Sequence, residues 1–220
     1  GATTVVSGTT TLNLIGVPQN LSTTPASPAT MLYVNGNITG LTGPGQGQAA
    51  IQNNAAVDIT AAQNVTITGD VNYSSEPVTT TQNQIPGTPA DTLIPANENN
   101  NEVLGVFTPG GNITLKSPYA NHNLEVDGSL AAVSDGGTGG FLVSGYINTF
   151  NNVGGQIQSS IYSADMNTEN TYFDRRFTAR AGFAPPWFPS TTLTGSGGPP
   201  LSSFTASVQR VQWLNTTALQ

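Results

Sequence analysis

Along most of the chain, β-branched and aliphatic residues alternate with Thr, Asn and Ser, and the apolar runs are broken by Gly or Asn-Gly every few residues. Such alternation has a period of two, that of a strand with one buried face, and the helical period of 3.6 is nearly absent. The pattern predicts an all-β fold.

Within it, a short unit recurs five times: aliphatic, any residue, Gly, any residue, aliphatic. The copies are centred on Gly36 (Val34 to Ile38), Gly69 (Ile67 to Val71), Gly128 (Val126 to Leu130), Gly145 (Val143 to Ile147) and Gly155 (Val153 to Ile157), with a degenerate sixth at Gly111, where Pro109 takes the first aliphatic place. Period two puts both aliphatics and the Gly on one face, so each unit reads as a corner between two short strands. The step from Gly128 to Gly145 is close to half the step from Gly36 to Gly69, as one coil is to two. The spacing predicts a single-domain parallel β-helix, a β-solenoid, in which the aliphatics flanking Gly36, Gly69, Gly128 and Gly145 stack along one parallel sheet. Gly111 and Gly155 do not fit that spacing, and a β-sandwich with irregular turns is the competing architecture.

The chain divides into an N-terminal β arm and linker (1–30), the solenoid (31–160) with a Pro-, Asn- and Thr-rich inserted loop (75–101), and an aromatic, Pro-rich C-terminal cap with a closing strand (161–220). A cap is expected because a final rung leaves an open sheet edge. Ser207 to Trp213 reads as the closing strand. The arm, Thr3 to Ile15, has no charge and no Pro. Val5, Val6, Leu12, Leu14 and Ile15 make it a candidate assembly strand, pairing with its own solenoid or with a neighbouring copy.

Composition changes the picture in one respect. Only 8% of the 220 residues are charged, so Thr, Asn, Gly and Ser must form the surface. Five basic against twelve acidic residues, a net charge of −7, argue against a surface that tracks nucleic-acid phosphates. The absence of Cys excludes a disulfide scaffold, a thiolate metal site and a Cys nucleophile, and fits either redox compartment. The sequence holds no apolar run long enough to cross a bilayer, so no membrane span is expected; the first residues lack signal-peptide character, and a mature or trimmed chain is expected.

Candidate chemistry is sparse. His122, the single histidine, lies in a polar turn with no G-x-S-x-G elbow to activate a serine, and reads as a turn residue. Glu125 and Asp127 are the one tight acidic pair within a rung, with Lys116 the nearest base. They read as a solvated strand face, since a glycosidase needs defined separation and split pKa values. Asp135 to Gly140 and Gly43 to Gly47 read as turns, lacking stacked nonapeptides and a P-loop Lys respectively. Asp174, Arg175 and Arg176 form the one charge cluster, set among aromatics, and predict an internal clasp that fixes the cap. Trp187 and Trp213 are candidate glycan-stacking or packing aromatics. Six Asn-x-Ser/Thr sequons, at Asn20, Asn37, Asn64, Asn72, Asn112 and Asn215, match what the composition yields by chance.

By Leu32 to Ile38, Gly43 to Gly47, Val65 to Asp70, Phe173 to Phe177 and Phe183 to Pro189, the chain resembles a family of uncharacterised bacterial envelope proteins in which a pilin-like or pilus-assembly-type N-terminal segment precedes a β-solenoid. The resemblance covers residues 31–190 and implies an exported, surface-associated structural role with no activity to carry over. The apolar pilin-type helix is missing from this sequence. Together these readings predict a non-enzymatic structural protein of a bacterial surface appendage, filament or coat, extracellular or cell-surface, without cofactor or metal, forming a homo-oligomer or filament. A carbohydrate-binding adhesin or tailspike-like module is the alternative, and a polysaccharide-degrading enzyme a weaker one.

Overall fold

The computed structural model describes residues 2–7, 10–15, 30–77, 99–134, 137–159, 166–174, 176–179, 183–186 and 188. Apart from the single-turn helix α1 (Arg176–Ala179), every described element is a strand, and the fold is all-β with parallel sheets.

The strands repeat in sets. β3 (Thr30–Val34), β4 (Ile38–Leu41) and β5 (Ala49–Ile51) are followed by β6 (Ala56–Ala61), β7 (Val65–Ile67) and β8 (Asn72–Tyr73). Next come β9 (Val103–Thr108), β10 (Ile113–Leu115) and β11 (Asn123–Asp127), then β12 (Ser129–Ala132), β13 (Phe141–Val143) and β14 (Ile147–Gly154), and finally β15 (Gln156–Gln158) and β16 (Met166–Phe173). The first members of each set form a five-stranded sheet in the order β15-β12-β9-β6-β3, and the second members a four-stranded sheet, β13-β10-β7-β4. Third members form β5-β8 and β11-β14-β16, joined by a parallel bridge between Val71 and Val126. All pairs in these sheets are parallel, so the antiparallel pairing of a β-sandwich is confined to the arm. Among the described residues the sheets do not form a closed solenoid.

The interior follows the period of two. Leu104 and Val106, Ile113 and Leu115, and Leu124 and Val126 point inward from β9, β10 and β11 and are fully enclosed, and Ile67, Leu130, Ile147 and Phe150 join them. Burying each such side chain contributes about 1.5–3 kcal/mol. Parallel register stacks like on like, as in Ile59, Val106 and Leu130 along the five-stranded sheet.

Two expectations are corrected here. The repeat does not keep the short step from Gly128 to Gly145. Paired positions in adjacent strands are offset by a longer and variable stretch, from Ile147 to Met166 at one extreme to Ile113 and Phe141 at another, and by far more where residues 78–98 intervene, as between Ile59 and Val106. The six corner glycines accordingly fall at three kinds of corner. Gly36 and Gly111 lie between first and second strands, Gly69 and Gly145 between second and third, and Gly128 and Gly155 between the third strand and the next set. Val34, Ile67, Val126 and Val143 therefore belong to three different sheets rather than one. The motif reports a bend, which any corner needs. Gly145 shows why, with a φ of +84° that side-chain-bearing residues rarely adopt.

The arm is not one strand. β1 (Ala2–Ser7) and β2 (Thr10–Ile15) pair antiparallel as a two-stranded sheet, with Val5 opposite Leu12, Val6 opposite Thr11, Leu14 opposite Thr3 and Ile15 opposite Ala2. The candidate assembly strand thus takes its hydrogen bonds from its own second half.

Candidate functional site

At the first corner of successive sets, asparagines form a ladder. Asn64 donates from its backbone N and from Nδ2 to Asn37 Oδ1, both at 3.0 Å; Asn112 N donates to Asn64 Oδ1 at 2.9 Å; Gly140 N donates to Asn112 Oδ1 at 3.0 Å. Each amide satisfies the corner N–H of the next set, which has no strand partner there. A second ladder runs up the third sheet, where Asn148 Nδ2 donates to Asn123 Oδ1 and Asn167 Nδ2 to Asn148 Oδ1. Three of the sequon asparagines, Asn37, Asn64 and Asn112, are these ladder residues.

A different chemistry occupies the flank where the C-terminal segment meets the sheets. Arg176 is fully enclosed: Nε donates to Asp174 Oδ1 at 3.0 Å, Nη2 to Asp174 Oδ2 at 2.7 Å, and Nη1 to the Asn100 carbonyl at 3.1 Å. Its guanidinium carbon lies 5.2 Å from the Tyr73 ring centre and 4.8 Å from that of Phe183. Burial alone would lower the Arg176 pKa, but the Asp174 hydrogen bonds and charge outweigh it and the pKa is raised. The expected clasp is therefore formed by Asp174 and Arg176; Arg175, Trp187, Trp213 and the closing strand lie outside the described residues.

Buried acids lie on the sheets that this segment meets; of them the sequence singled out Asp127 but not Asp58 or Glu102. Glu102 Oε1 accepts from Ser75 N at 2.9 Å and Ser74 Oγ at 3.3 Å, and Asp127 Oδ2 accepts from Tyr73 N at 2.7 Å. Asp58 Oδ2 accepts from Thr60 Oγ1 at 2.9 Å. The second oxygen of each carboxyl is buried with no partner among the described residues. Burial pushes Asp58 up to about 7, against the pull of the Thr60 hydroxyl. Burial raises Asp127 well above the carboxylate range, the Tyr73 N–H opposes it, and the charge of Glu125 adds to it.

The Glu125 and Asp127 pair is not a solvated face. Asp127 is enclosed, and Glu125, half-buried, accepts from Asn72 Nδ2 at 3.3 Å. Burial, then the charges of Glu76 and Asp70, push Glu125 up to about 7. Both acids move upward together, so their environments do not set one apart from the other as an acid and a base. His122 sits in its turn with φ +54°, its N–H donating to the Tyr119 carbonyl and its ring edge-on to Tyr146. Among the described residues no group of three or more acidic or His side chains could hold a metal ion, and no helix is long and apolar enough to cross a membrane.

At the Gly155 corner the tight stacking falls one residue earlier. Gly155 faces open space, whereas a Cβ on its neighbour Gly154 would strike the Gly128 carbonyl. Gly154 is the glycine that permits close stacking at that corner.

Compared with protein-family models, curated proteins and solved structures, the chain matches none.

Proposed function

We propose that this chain is a non-enzymatic structural β-solenoid that acts by self-assembly in an extracellular or cell-surface appendage, filament or coat. One observation carries the reading: all the described strands beyond the arm run parallel, and the outermost ones, β3, β4 and β5 on one side and β15, β13 and β16 on the other, have a strand neighbour on one side only among the described residues. Because all share one direction, the last strands of one copy can extend into the first strands of another, a head-to-tail contact that repeats without closing. A surface on which only 8% of the residues are charged lets copies approach while stripping water from few ions. The role implied by the resemblance to bacterial envelope proteins agrees with this reading. The arm, in which β1 and β2 pair with each other and each keeps one open edge, offers a second surface for such contacts.

Sedimentation velocity tests the proposal. The unmodified chain is expected to form concentration-dependent, open-ended oligomers, and Thr168→Lys, which places a charge on the exposed edge strand β16, is expected to abolish them without changing the melting temperature. A monodisperse monomer of the unmodified chain at high concentration, or oligomers indifferent to Thr168→Lys, would overturn it.

A further inference from the structure

The interior columns end differently at the two ends of the parallel sheets. On the inward face of the five-stranded sheet Leu32, Ile59, Val106 and Leu130 follow one another in register, and the next position is Gln156. On the third sheet Leu124 and Phe150 are followed by Glu169, and Val126 and Asn152 by Thr171. The last strands thus put three polar side chains where the core would continue. They meet: Gln156 Nε2 donates to Glu169 Oε1 at 3.2 Å and to Thr171 Oγ1 at 3.1 Å. Glu169 and Thr171 are exposed. At the opposite end the core of the first set is apolar, with Leu32, Ile38, Leu41 and Ala50 half-buried against it. The first acidic or basic side chain in the sequence is Asp58, so β3, β4 and β5 carry none.

We propose that Glu169 is an acid-operated stop on the head-to-tail contact: as a carboxylate it keeps a second copy off the end formed by β15 and β16, and once protonated it is buried there beneath that copy's first strands. The inference rests on the self-assembly reading above and adds its regulation. In a continued stack, β5 of the incoming copy lies on β16, which sets Glu169 against Ala50 and Ile51, both packed in the core of their own copy. A carboxylate there gives up its water, and the incoming strands bring no cation; the protonated acid keeps its Gln156 hydrogen bond and can be covered. A charge pointing inward from an edge strand is one of the devices that keep sheet ends from pairing. Each contact takes up one proton, so association strengthens as pH falls.

Sedimentation velocity between about pH 8 and about pH 5 tests this, with association of the full chain as the readout. The unmodified chain is expected to associate more tightly toward the acid end, by up to about tenfold per pH unit. Glu169→Gln is expected to associate near pH 8 as tightly as the unmodified chain does near pH 5, with the slope removed. Glu169→Thr, equally uncharged and suited to a strand, reads the same way if the Gln variant fails to fold. Repulsion between copies of net charge −7 would give a similar trend, but salt screens it and does not screen the burial of one carboxylate. The slope is therefore expected to hold in about 1 M salt. Association indifferent to pH, a slope that survives in the uncharged variants, or one that vanishes in salt overturns the stop and leaves self-assembly standing. Unmodified and variant chains that stay monomeric at every pH overturn both.

Discussion

Asp174 and Arg176 hold each other from either side of a single intervening residue, the guanidinium meeting the carboxylate through Nε and Nη2 with both side chains fully enclosed. A charge pair out of water depends on its partner being present, because the survivor is left buried and uncompensated. Asp174→Asn is therefore expected to cost about 3–5 kcal/mol, against under about 1 for an exposed pair. Thermal melts decide it: for a chain of this size that loss lowers the melting temperature by roughly 6 °C or more, and an unchanged melt would place the charges in solvent.

The two kinds of asparagine should behave differently on truncation. Asn152 Nδ2 donates to the Val126 and Gly128 carbonyls at 2.9 Å each from a fully buried position. Asn152→Ala leaves two enclosed carbonyls short of a donor, and about 2–4 kcal/mol is expected from urea denaturation. The ladder bonds of Asn64 lie at an exposed corner where water can substitute, so Asn64→Ala is expected to cost only about 1 kcal/mol. Equal losses would contradict the assignment of the ladder to the surface and of Asn152 to the interior.

Adjacent glycines give a sharper contrast. A Cβ at position 154 meets the Gly128 carbonyl, backbone against backbone, where no side chain can rotate away. Gly154→Ala is expected to destabilise by about 2–3 kcal/mol, whereas Gly155→Ala, with nothing within 4 Å of the new carbon, should be close to neutral by the same denaturation measurement.

Much of the fold was legible. The period of two and the glycine corners announce short strands, and the Asp-Arg pair among aromatics announces a buried clasp. The repeat length was missed because the corner glycine is shared by three kinds of bend, so its spacing mixes them. A better signal was present: Asn37-Ile38-Thr39, Asn64-Val65-Thr66 and Asn112-Ile113-Thr114 mark the same corner three times, and a chance-sequon reading passed over them. In the arm, Gly8 is a turn signal within what read as one strand. The carboxylate flank was not legible, because Asp58 lies on the outward side of its strand beside Pro185 and Phe188, and Glu102 meets Ser74 and Ser75, all of them remote in sequence.

Stability should fall as pH rises. Asp58 goes from a usual value of 3.8 to about 7 on folding, so the folded state binds its proton more tightly. The stabilisation is complete below 3.8 and is lost between there and about 7, roughly 4 kcal/mol at 1.36 kcal/mol per unit. The upward shifts of Glu125 and Asp127 act in the same direction. Urea midpoints are expected to be higher at pH 5 than at pH 8, the reverse of a protein whose carboxylates are salt-bridged; a flat midpoint would mean these acids are solvated when folded, and a rising one that cations hold them ionised.

Electron microscopy of the native material, with diffraction from aligned samples, addresses self-assembly through parallel sheet ends most directly. Copies stacked head to tail predict rods whose strands run across the long axis, with a reflection near about 4.8 Å along it. Dispersed single copies, or rods lacking that axial spacing, would contradict it.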